Sequence, residues 1–155
     1  MTENGRLVAD ILLRPIRKRD LEALYELDQQ CFEPDIAYTR GQLRDLLSRP
    51  NAVGLAAEVD GALAGFAIGH RTGGRGHVVT LDVAGGSRRQ GVGRELMRRL
   101  VERLEAAGAR VIRLEVDLRN AGAIRFYERL GFRETRRLLE YYGDGLDGLE
   151  MVREI

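Results

Sequence analysis

The sequence predicts an α/β protein built on a mixed, mostly antiparallel sheet of about seven strands with about four flanking helices. Strand-length apolar runs lie in both halves of the chain, and segments with helical apolar spacing separate them. A D-G pair at Asp60-Gly61 joins two of these runs, as expected of a hairpin. The order β-α-α-β-β-β-α-β-α-β-β follows, and the 155 residues predict a single domain over residues 1–155.

The first half of the chain is predicted to supply one strand, two helices and a hairpin. In chain order, these elements are predicted at residues 11–16, 18–31, 39–47, 53–59 and 62–70. Pro15 and a charged turn end the first strand, and Asp20 is a plausible N-cap of the first helix. Asp60-Gly61 makes the turn between the last two strands.

The second half alternates strand and helix. Its elements are predicted at residues 77–83, 92–104, 111–116, 120–130, 133–142 and 149–155. Gly108 suits the C-terminal cap of the first of these helices, and Gly131 ends the second. The strand–helix–strand piece over residues 77–116 predicts a right-handed parallel crossover.

Composition excludes several classes of protein. Hydrophobic residues make up 44% and charged residues 32%, which is typical of a globular chain and not of a disordered one. Cys31 is the single cysteine, so an intramolecular disulfide and a Cys-rich zinc site are excluded. His70 and His77 are the only histidines, and we expect no metal site. The net charge of +1 lacks the basic excess of a nucleic-acid binder.

The sequence also bears on location. No apolar run reaches the ~18 residues that a membrane helix needs. Residues 1–10 are polar and lack the basic-then-apolar plan of a signal peptide. We therefore expect a cytoplasmic protein without a membrane partner and with a flexible segment over residues 1–10, while monomer and homodimer both stay open.

The segment that carries chemistry has the sequence Ser87-Arg88-Arg89-Gln90-Gly91-Val92-Gly93-Arg94. Two of its glycines leave the backbone open to a ligand, and unpaired N–H groups at a helix N-terminus favour an anion. Its three arginines add full positive charge, so the segment predicts a diphosphate site. A Rossmann fingerprint is absent because Leu96 occupies the third glycine position, and the only lysine, Lys18, excludes a P-loop.

This segment resembles the cofactor loop of a known superfamily. Residues 88–93 fit the R/Q-x-x-G-x-G/A loop of the GNAT superfamily of acetyl-CoA-dependent N-acetyltransferases. Residues 120–132 look like the N-x-x-A-x-x-x-Y-E-x-x-G-F segment of that superfamily. The resemblance covers about residues 11–155, and it implies a GNAT-like fold with acetyl-CoA as co-substrate.

Within the superfamily, the resemblance is closest to the bacterial ribosomal-protein alanine N-acetyltransferases and related protein N-terminal acetyltransferases. Residues 114–116, then Asn120 and Tyr127, repeat their L-E-V…N…Y arrangement. Residues 141–147 look like their Y-Y-x-D-G-x-D hairpin. The loop over residues 31–38 matches their peptide-covering loop only loosely, which leaves the exact acceptor open.

By this resemblance, the glycine loop would hold the diphosphate, and the backbone of residues 81–83 would pair with the pantetheine arm. The Val83 N–H would face the thioester oxygen, and Asn120 would hydrogen-bond the cofactor from the far side. The implied cofactor-binding residues are Leu81, Asp82, Val83, Arg88, Arg89, Gln90, Gly91, Val92, Gly93, Arg94 and Asn120.

The resemblance also implies the catalytic residues. Glu115 is the implied general base, acting through water, and Tyr127 is the implied proton donor to the leaving thiolate. His77 is the alternative base, since it occupies the strand position where lysine-modifying relatives keep a glutamate. The implied substrate-binding residues are Tyr38, Tyr141 and Tyr142. If both adjacent tyrosines lie on one strand, their side chains alternate between its two faces, so only one of them would line the peptide-binding groove.

The expected reaction is acetyl transfer from acetyl-CoA to a primary amine, most readily the N-terminal α-amine of a protein or peptide. An α-amine of pKa ~7.8 costs about 3.5 kcal/mol less to deprotonate than a lysine of pKa ~10.4. A small-molecule amine or amino-acid derivative is the alternative acceptor. A non-catalytic acyl-CoA sensor is a third reading, which the presence of both Glu115 and Tyr127 argues against.

Overall fold

A computed structural model describes residues 10–88 and 90–155, together with the backbone of residues 2–3 and 6–7. The main sheet has seven strands, β1 (Ile11–Pro15), β2 (Ala52–Val59), β3 (Ala62–Thr72), β4 (Arg75–Val83), β5 (Val111–Asp117), β6 (Arg133–Leu138) and β7 (Gly148–Glu154). The helices are α1 (Leu21–Cys31), α2 (Arg40–Ser48), α3 (Val92–Ala106) and α4 (Ala121–Arg129). The predicted order of elements is confirmed.

The N-terminal segment contributes a small ladder of its own. Thr2–Glu3 pairs with Arg6–Leu7 in antiparallel fashion. The rest of the segment over residues 1–10, for which we expected flexibility, lies outside the described residues except for Asp10.

The strands lie in the order β1-β2-β3-β4-β5-β7-β6. Within the described residues, every pairing in this sheet is antiparallel except that of β4 with β5. The β2–β3 hairpin turns at Asp60 and Gly61, whose φ angles of 52° and 78° are both positive. A two-residue hairpin turn of type I′ requires positive φ at both positions, which is why the D-G pair predicted it.

Each face of the sheet has its own helix pair and core. On β3, a Cβ at Gly65 or Gly69 would meet α3 side chains, so the alternate residues Phe66 and Ile68 face the other way. Phe66 and Ile68 pack with leucines of α1 and α2, including the buried Leu24. The larger core lies beneath α3, whose buried side chains are those of the predicted stripe, Val92, Leu96, Met97, Leu100, Val101 and Leu104.

The two parallel strands separate soon after they meet. Their pairing runs from Arg75 opposite Val111 to His77 opposite Arg113, whereas β4 continues to Val83 and β5 to Asp117. An extra residue in β4, Val79, shifts its register against β3, and such a bulge bends the strand that carries it. The sheet therefore has a gap between the carboxyl-terminal parts of β4 and β5.

The predicted strand over residues 133–142 is too long. The structure ends β6 at Leu138, and the chain then turns, with Glu140 at a φ of 54° and Gly143 at 130°. Asp147 holds this turn, because it accepts a hydrogen bond from the Glu140 N–H and forms an ion pair with Arg137. Tyr141 and Tyr142 thus lie in a turn, where the alternation of a strand does not apply.

Candidate active site

The backbone of β4 lines one side of the gap. The Ala84 N–H donates to the Ala64 C=O at 2.8 Å, which makes these two residues a hydrogen-bonded pair between β4 and β3. Such pairs alternate along an antiparallel ladder, so the N–H and C=O of Val83 and Leu81 point away from β3 and into the gap. These two residues present the backbone groups that we expected to pair with the pantetheine arm.

We expected all of residues 81–83 to bind the cofactor, but Asp82 faces away from the gap. Its backbone belongs to the alternate position that pairs with Phe66 of β3. Its side chain is 0% exposed and accepts a hydrogen bond from the Thr80 hydroxyl at 2.6 Å. Asp82 therefore faces the α1 side of the sheet, and its buried carboxyl group is out of reach of a ligand in the gap.

The N-terminus of α3 lies at the glycine loop, where the sequence predicts an anion site. Gly91 is the N-cap residue, with a φ of 82°, and its C=O accepts the first helical hydrogen bond, from Glu95. The N–H groups of the first helical turn have no partner within the helix, and the helix dipole favours an anion there. The exposed side chains around this turn are Arg88, Gln90 and Arg94.

The remaining residues of the loop differ in what they can offer a ligand. Val92 is 0% exposed, so only its backbone can take part. Arg89 lies outside the described residues. Gly93 is buried, and a Cβ there would lie 3.3 Å from Val83 Cγ2 and 3.4 Å from Phe126 Cζ. The missing side chain thus lets α3 approach β4 and α4, which corrects the expectation that Gly93 is open for a ligand.

Gly93→Val is therefore expected to lower the free energy of unfolding by about 1–3 kcal/mol, because an overpacked side chain displaces its neighbours. Gly91→Ala meets no atom within 4 Å but is strained by its positive φ, and should cost about 1–2 kcal/mol. Gly85→Ala, with open space around it, is the control. Urea unfolding measures all three, and a Gly93→Val variant as stable as the Gly85→Ala control would contradict the packing role.

Glu115 lies on the sheet face opposite α3, since its neighbours Leu114 and Val116 are buried in the core beneath that helix. Only 8% of its side chain is exposed. Its Oε1 lies 2.6 Å from His77 Nε2, and its Oε2 accepts a hydrogen bond from Arg113 at 2.7 Å. Burial raises the pKa of Glu115, but these two partners together outweigh burial and hold it below the usual range.

His77 connects Glu115 to a second histidine. Because Glu115 is ionised and can only accept, His77 Nε2 is the donor of their hydrogen bond. His77 Nδ1 lies 3.4 Å from His70 Nε2 on the neighbouring strand β3. Burial, followed by the neighbouring His77, lowers the pKa of His70, which is therefore neutral at physiological pH. The two bases that we treated as alternatives are one hydrogen-bonded unit.

Three tyrosines surround Glu115 on this face. Tyr141 and Tyr142 pack edge to face with ring centroids 4.9 Å apart, and Tyr141 is 50% exposed. Burial raises the pKa of Tyr38 to about 12, and the nearby charges of Asp28 and Glu115 act in the same direction. The structure thus brings the three expected substrate-binding residues together beside one carboxylate, and both adjacent tyrosines belong to the group.

Tyr127 lies on the other side of the sheet. It projects from α4 into the core beneath α3 and α4, where its ring contacts Phe126 and Phe132 at centroid distances of 5.2 Å and 6.0 Å. Burial, followed by the charge of Asp82, raises the pKa of Tyr127 above the usual value.

Asn120 caps the same helix, because its side chain accepts a hydrogen bond from the Ala123 N–H at 3.1 Å. Its amide NH₂ group remains able to donate to a ligand.

Sequence reasoning missed two members of this region. Arg113 precedes Glu115 by two residues on the same strand, so strand alternation alone could have placed both on one face. Asp28 follows Leu24 by four residues, which places a carboxyl group on the buried stripe of α1. The described residues contain no cluster of three metal-ligating side chains, and no described helix is long and apolar enough to cross a membrane.

Comparison with known proteins gives a consistent result. The model of the acetyltransferase (GNAT) family matches residues 21–132. An N-alpha-acetyltransferase of Sulfurisphaera tokodaii is 33% identical over 153 residues, which cover 90% of each chain. An uncharacterized N-acetyltransferase of Methanocaldococcus jannaschii is 32% identical over 146 residues, covering 93% of this chain and 92% of that protein.

Two solved structures are similar over almost the whole length. The ribosomal-protein-S18-alanine N-acetyltransferase of Escherichia coli superposes with a TM-score of 0.85 at 26% identity, covering 94% of both chains. Arabidopsis thaliana NAA60 in complex with acetyl-CoA superposes with a TM-score of 0.83 at 27% identity, covering 94% of this chain and 99% of that one.

Proposed function

The chain belongs to the acetyltransferase (GNAT) family, and we propose that it acetylates the α-amine at the N-terminus of a protein or peptide. Acetyl-CoA is the acetyl donor, and an amine is the acceptor. The observation that carries the proposal is the position of Glu115, beside three tyrosines on one face of the sheet and next to the gap between β4 and β5.

The two faces of the sheet would receive the two substrates. The N–H groups at the start of α3 would hold the diphosphate of acetyl-CoA, with Arg88 and Arg94 adding charge. The gap-facing backbone of Leu81 and Val83 would pair with its pantetheine arm. Acetyl-CoA supplies the acetyl group as a thioester, and this group would lie in the gap, within reach of an amine on the Glu115 face.

The chain's own residues would then take up one proton and donate one hydrogen bond. As the amine nitrogen forms its bond to the acetyl carbon, it loses a proton to the Glu115–His77 pair, directly or through water. As the carbon–sulfur bond breaks, the Tyr127 hydroxyl would donate a hydrogen bond to the leaving sulfur. Alignment of the two substrates is the third contribution, and for oriented reactants it is worth ~7–11 kcal/mol.

The acetyl group would pass directly between the substrates. Cys31 is the only cysteine, and its thiol donates a hydrogen bond to the Val83 C=O at 3.5 Å. Burial and the charge of Asp82 raise the pKa of the Cys31 thiol. Since the thiolate is the nucleophilic form, Cys31 is a poor candidate for an acetylated intermediate.

The choice of an α-amine has two supports. The depressed pKa of Glu115 makes it a weak base, which suits an acceptor that is already partly neutral at pH 7–8. Among its relatives, the Sulfurisphaera tokodaii protein is named an N-alpha-acetyltransferase and the Escherichia coli protein a ribosomal-protein-S18-alanine N-acetyltransferase. A cytoplasmic location, the oligomeric state and the absence of a nucleic-acid partner stay predictions.

Two matched peptides test the acceptor. One has a free N-terminus and no lysine, and the other has the same sequence with a blocked N-terminus and one internal lysine. We expect acetylation of the first to be at least tenfold faster, because its amine costs less to deprotonate. Release of the coenzyme A thiol measures the rate, and mass spectrometry locates the acetyl group.

Other outcomes would replace the proposal. Faster acetylation of the blocked peptide would make the chain a lysine acetyltransferase. Turnover of a polyamine or an amino acid, with neither peptide modified, would establish a small-molecule acceptor. Binding of acetyl-CoA in calorimetry without turnover of any amine would leave a non-catalytic sensor.

A further inference from the structure

Two carboxyl groups are buried against each other between α1 and β4. Asp28 of α1 and Asp82 of β4 are both 0% exposed. Asp28 Oδ2 accepts a hydrogen bond from the Tyr38 N–H at 2.7 Å, and Asp82 Oδ1 accepts one from the Thr80 hydroxyl at 2.6 Å. The other oxygens, Asp28 Oδ1 and Asp82 Oδ2, are the two buried side-chain polar atoms without a partner in the described part of the chain.

A single shared proton would satisfy both of these oxygens. Helix α1, which carries Asp28, packs against β4, which carries Asp82, and Asp28 is the charged group that acts on Asp82. No basic side chain in the described residues forms an ion pair with either carboxyl group. Two ionised carboxylates in such a place repel each other and lack solvation. If one group keeps its proton, its O–H donates to the oxygen of the other. Burial, followed by hydrogen bonding and charge from Asp28, raises the pKa of Asp82 well above its usual range.

We propose that Asp28 and Asp82 share one proton and that this acid pair positions Tyr38 at the acceptor side of the active site. Through its other oxygen, Asp28 holds the Tyr38 N–H, and the neighbouring Gln29 side chain donates to the Tyr38 C=O at 2.9 Å. Asp82 lies between Leu81 and Val83, whose backbone lines the gap. The pair thus links the strand on the donor side to the loop on the acceptor side. The role of Tyr38 toward an acceptor rests on the proposed function.

The hold of the Asp28–Asp82 acid pair on Tyr38 should depend on pH. The titratable groups that face Asp82 are Asp28 and Cys31 of α1 and Tyr38 of the following loop. Across the sheet, the charge of Asp82 also acts on Tyr127 of α4. An aspartate whose folded-state pKa is raised above the unfolded value of ~3.9 contributes stability below that value and loses it as the pH rises through the folded-state pKa. Loss of the shared proton leaves two adjacent negative charges, so Tyr38 should loosen on the alkaline side.

Nuclear magnetic resonance of the full chain tests the pair without any acceptor. With carboxyl groups labelled with carbon-13, we expect one protonated aspartic acid to persist at pH 7 and to disappear in Asp82→Asn and in Asp28→Asn. The protection of the Tyr38 amide against hydrogen exchange should fall as the wild-type pair loses its proton. In Asp82→Asn that protection should persist, because an amide N–H can donate to Asp28 Oδ1 at every pH. Asp45→Asn, an exposed carboxylate of α2, is the control and should behave as wild type.

Kinetics give the second readout. The acceptor KM of the wild type should rise about tenfold on the alkaline side, the equivalent of one lost hydrogen bond, while the KM for acetyl-CoA stays constant. In Asp82→Asn the acceptor KM should be independent of pH over the same range. The proposal would be overturned if both aspartates were ionised at pH 7. It would also be overturned if neither the Tyr38 protection nor the acceptor KM changed as the pair loses its proton. If the shared proton is present but no peptide is acetylated, the proposed function is refuted. The hydrogen exchange of the Tyr38 amide then decides on its own whether the acid pair positions Tyr38.

Discussion

Replacing Tyr127 by phenylalanine is expected to lower kcat by about 10²–10³-fold, the effect of removing one preorganised hydrogen-bond donor, and to leave the KM for acetyl-CoA within about threefold. Phenylalanine keeps the ring contacts with Phe126 and Phe132 and removes only the hydroxyl group. The raised pKa of Tyr127 keeps the phenol protonated throughout the neutral range. The hydroxyl can therefore donate to the sulfur as negative charge develops there.

The raised pKa also limits how Tyr127 can act. A thiol has a pKa of ~8.5, so complete proton transfer from a phenol of higher pKa to a free thiolate is uphill. The hydroxyl should thus act chiefly by donating a hydrogen bond to the breaking carbon–sulfur bond, a form of electrostatic stabilisation. Steady-state rates with saturating acetyl-CoA measure the effect.

The control for this variant is Tyr25→Phe. Tyr25 lies on α1, where the Arg40 guanidinium stacks over its ring, and loss of its hydroxyl should leave kcat unchanged. If Tyr127→Phe turns over within about threefold of the wild type, Tyr127 is a core residue and water protonates the sulfur.

Local sequence signals were enough to predict most of the fold. The stripe on α3 and the D-G turn depend on residues within a few positions of each other, and both are confirmed. The end of β6 was not predictable in this way. It depends on an ion pair between Arg137 and Asp147, which are ten positions apart and meet only once the turn has formed.

The candidate site was predictable as a set of residues but not as an arrangement. Alternation along β5 placed Glu115 opposite the core, because Leu114 and Val116 flank it. The contact between His77 and Glu115 joins residues that are 38 positions apart, and it depends on the register in which β4 meets β5. No local pattern specifies that register, so the two bases looked like alternatives.

Glu115→Gln is expected to lower kcat/KM by about 10²-fold or more, because the amide cannot take up a proton. Glutamine keeps the size of the side chain, and its oxygen can still accept one of the hydrogen bonds that His77 and Arg113 now donate. The depressed pKa places the titration of Glu115 below the pH range of the assay. A fall in kcat/KM below pH ~8 should therefore follow the acceptor α-amine, and it should persist in the variant.

The His77→Ala variant tests whether His77 is the general base or whether it positions Glu115, which is then the base. Removal of the His77 hydrogen bond, which helps to hold the pKa of Glu115 down, should raise that pKa towards its usual range. The carboxylate then stays ionised at pH 8, so kcat/KM there should remain within about tenfold of the wild type, with the loss growing as the pH falls. His70→Ala, one step further from Glu115, should have a smaller effect still. A His77→Ala defect as severe at pH 8 as that of Glu115→Gln would instead make His77 the base, with Glu115 holding its ring in place.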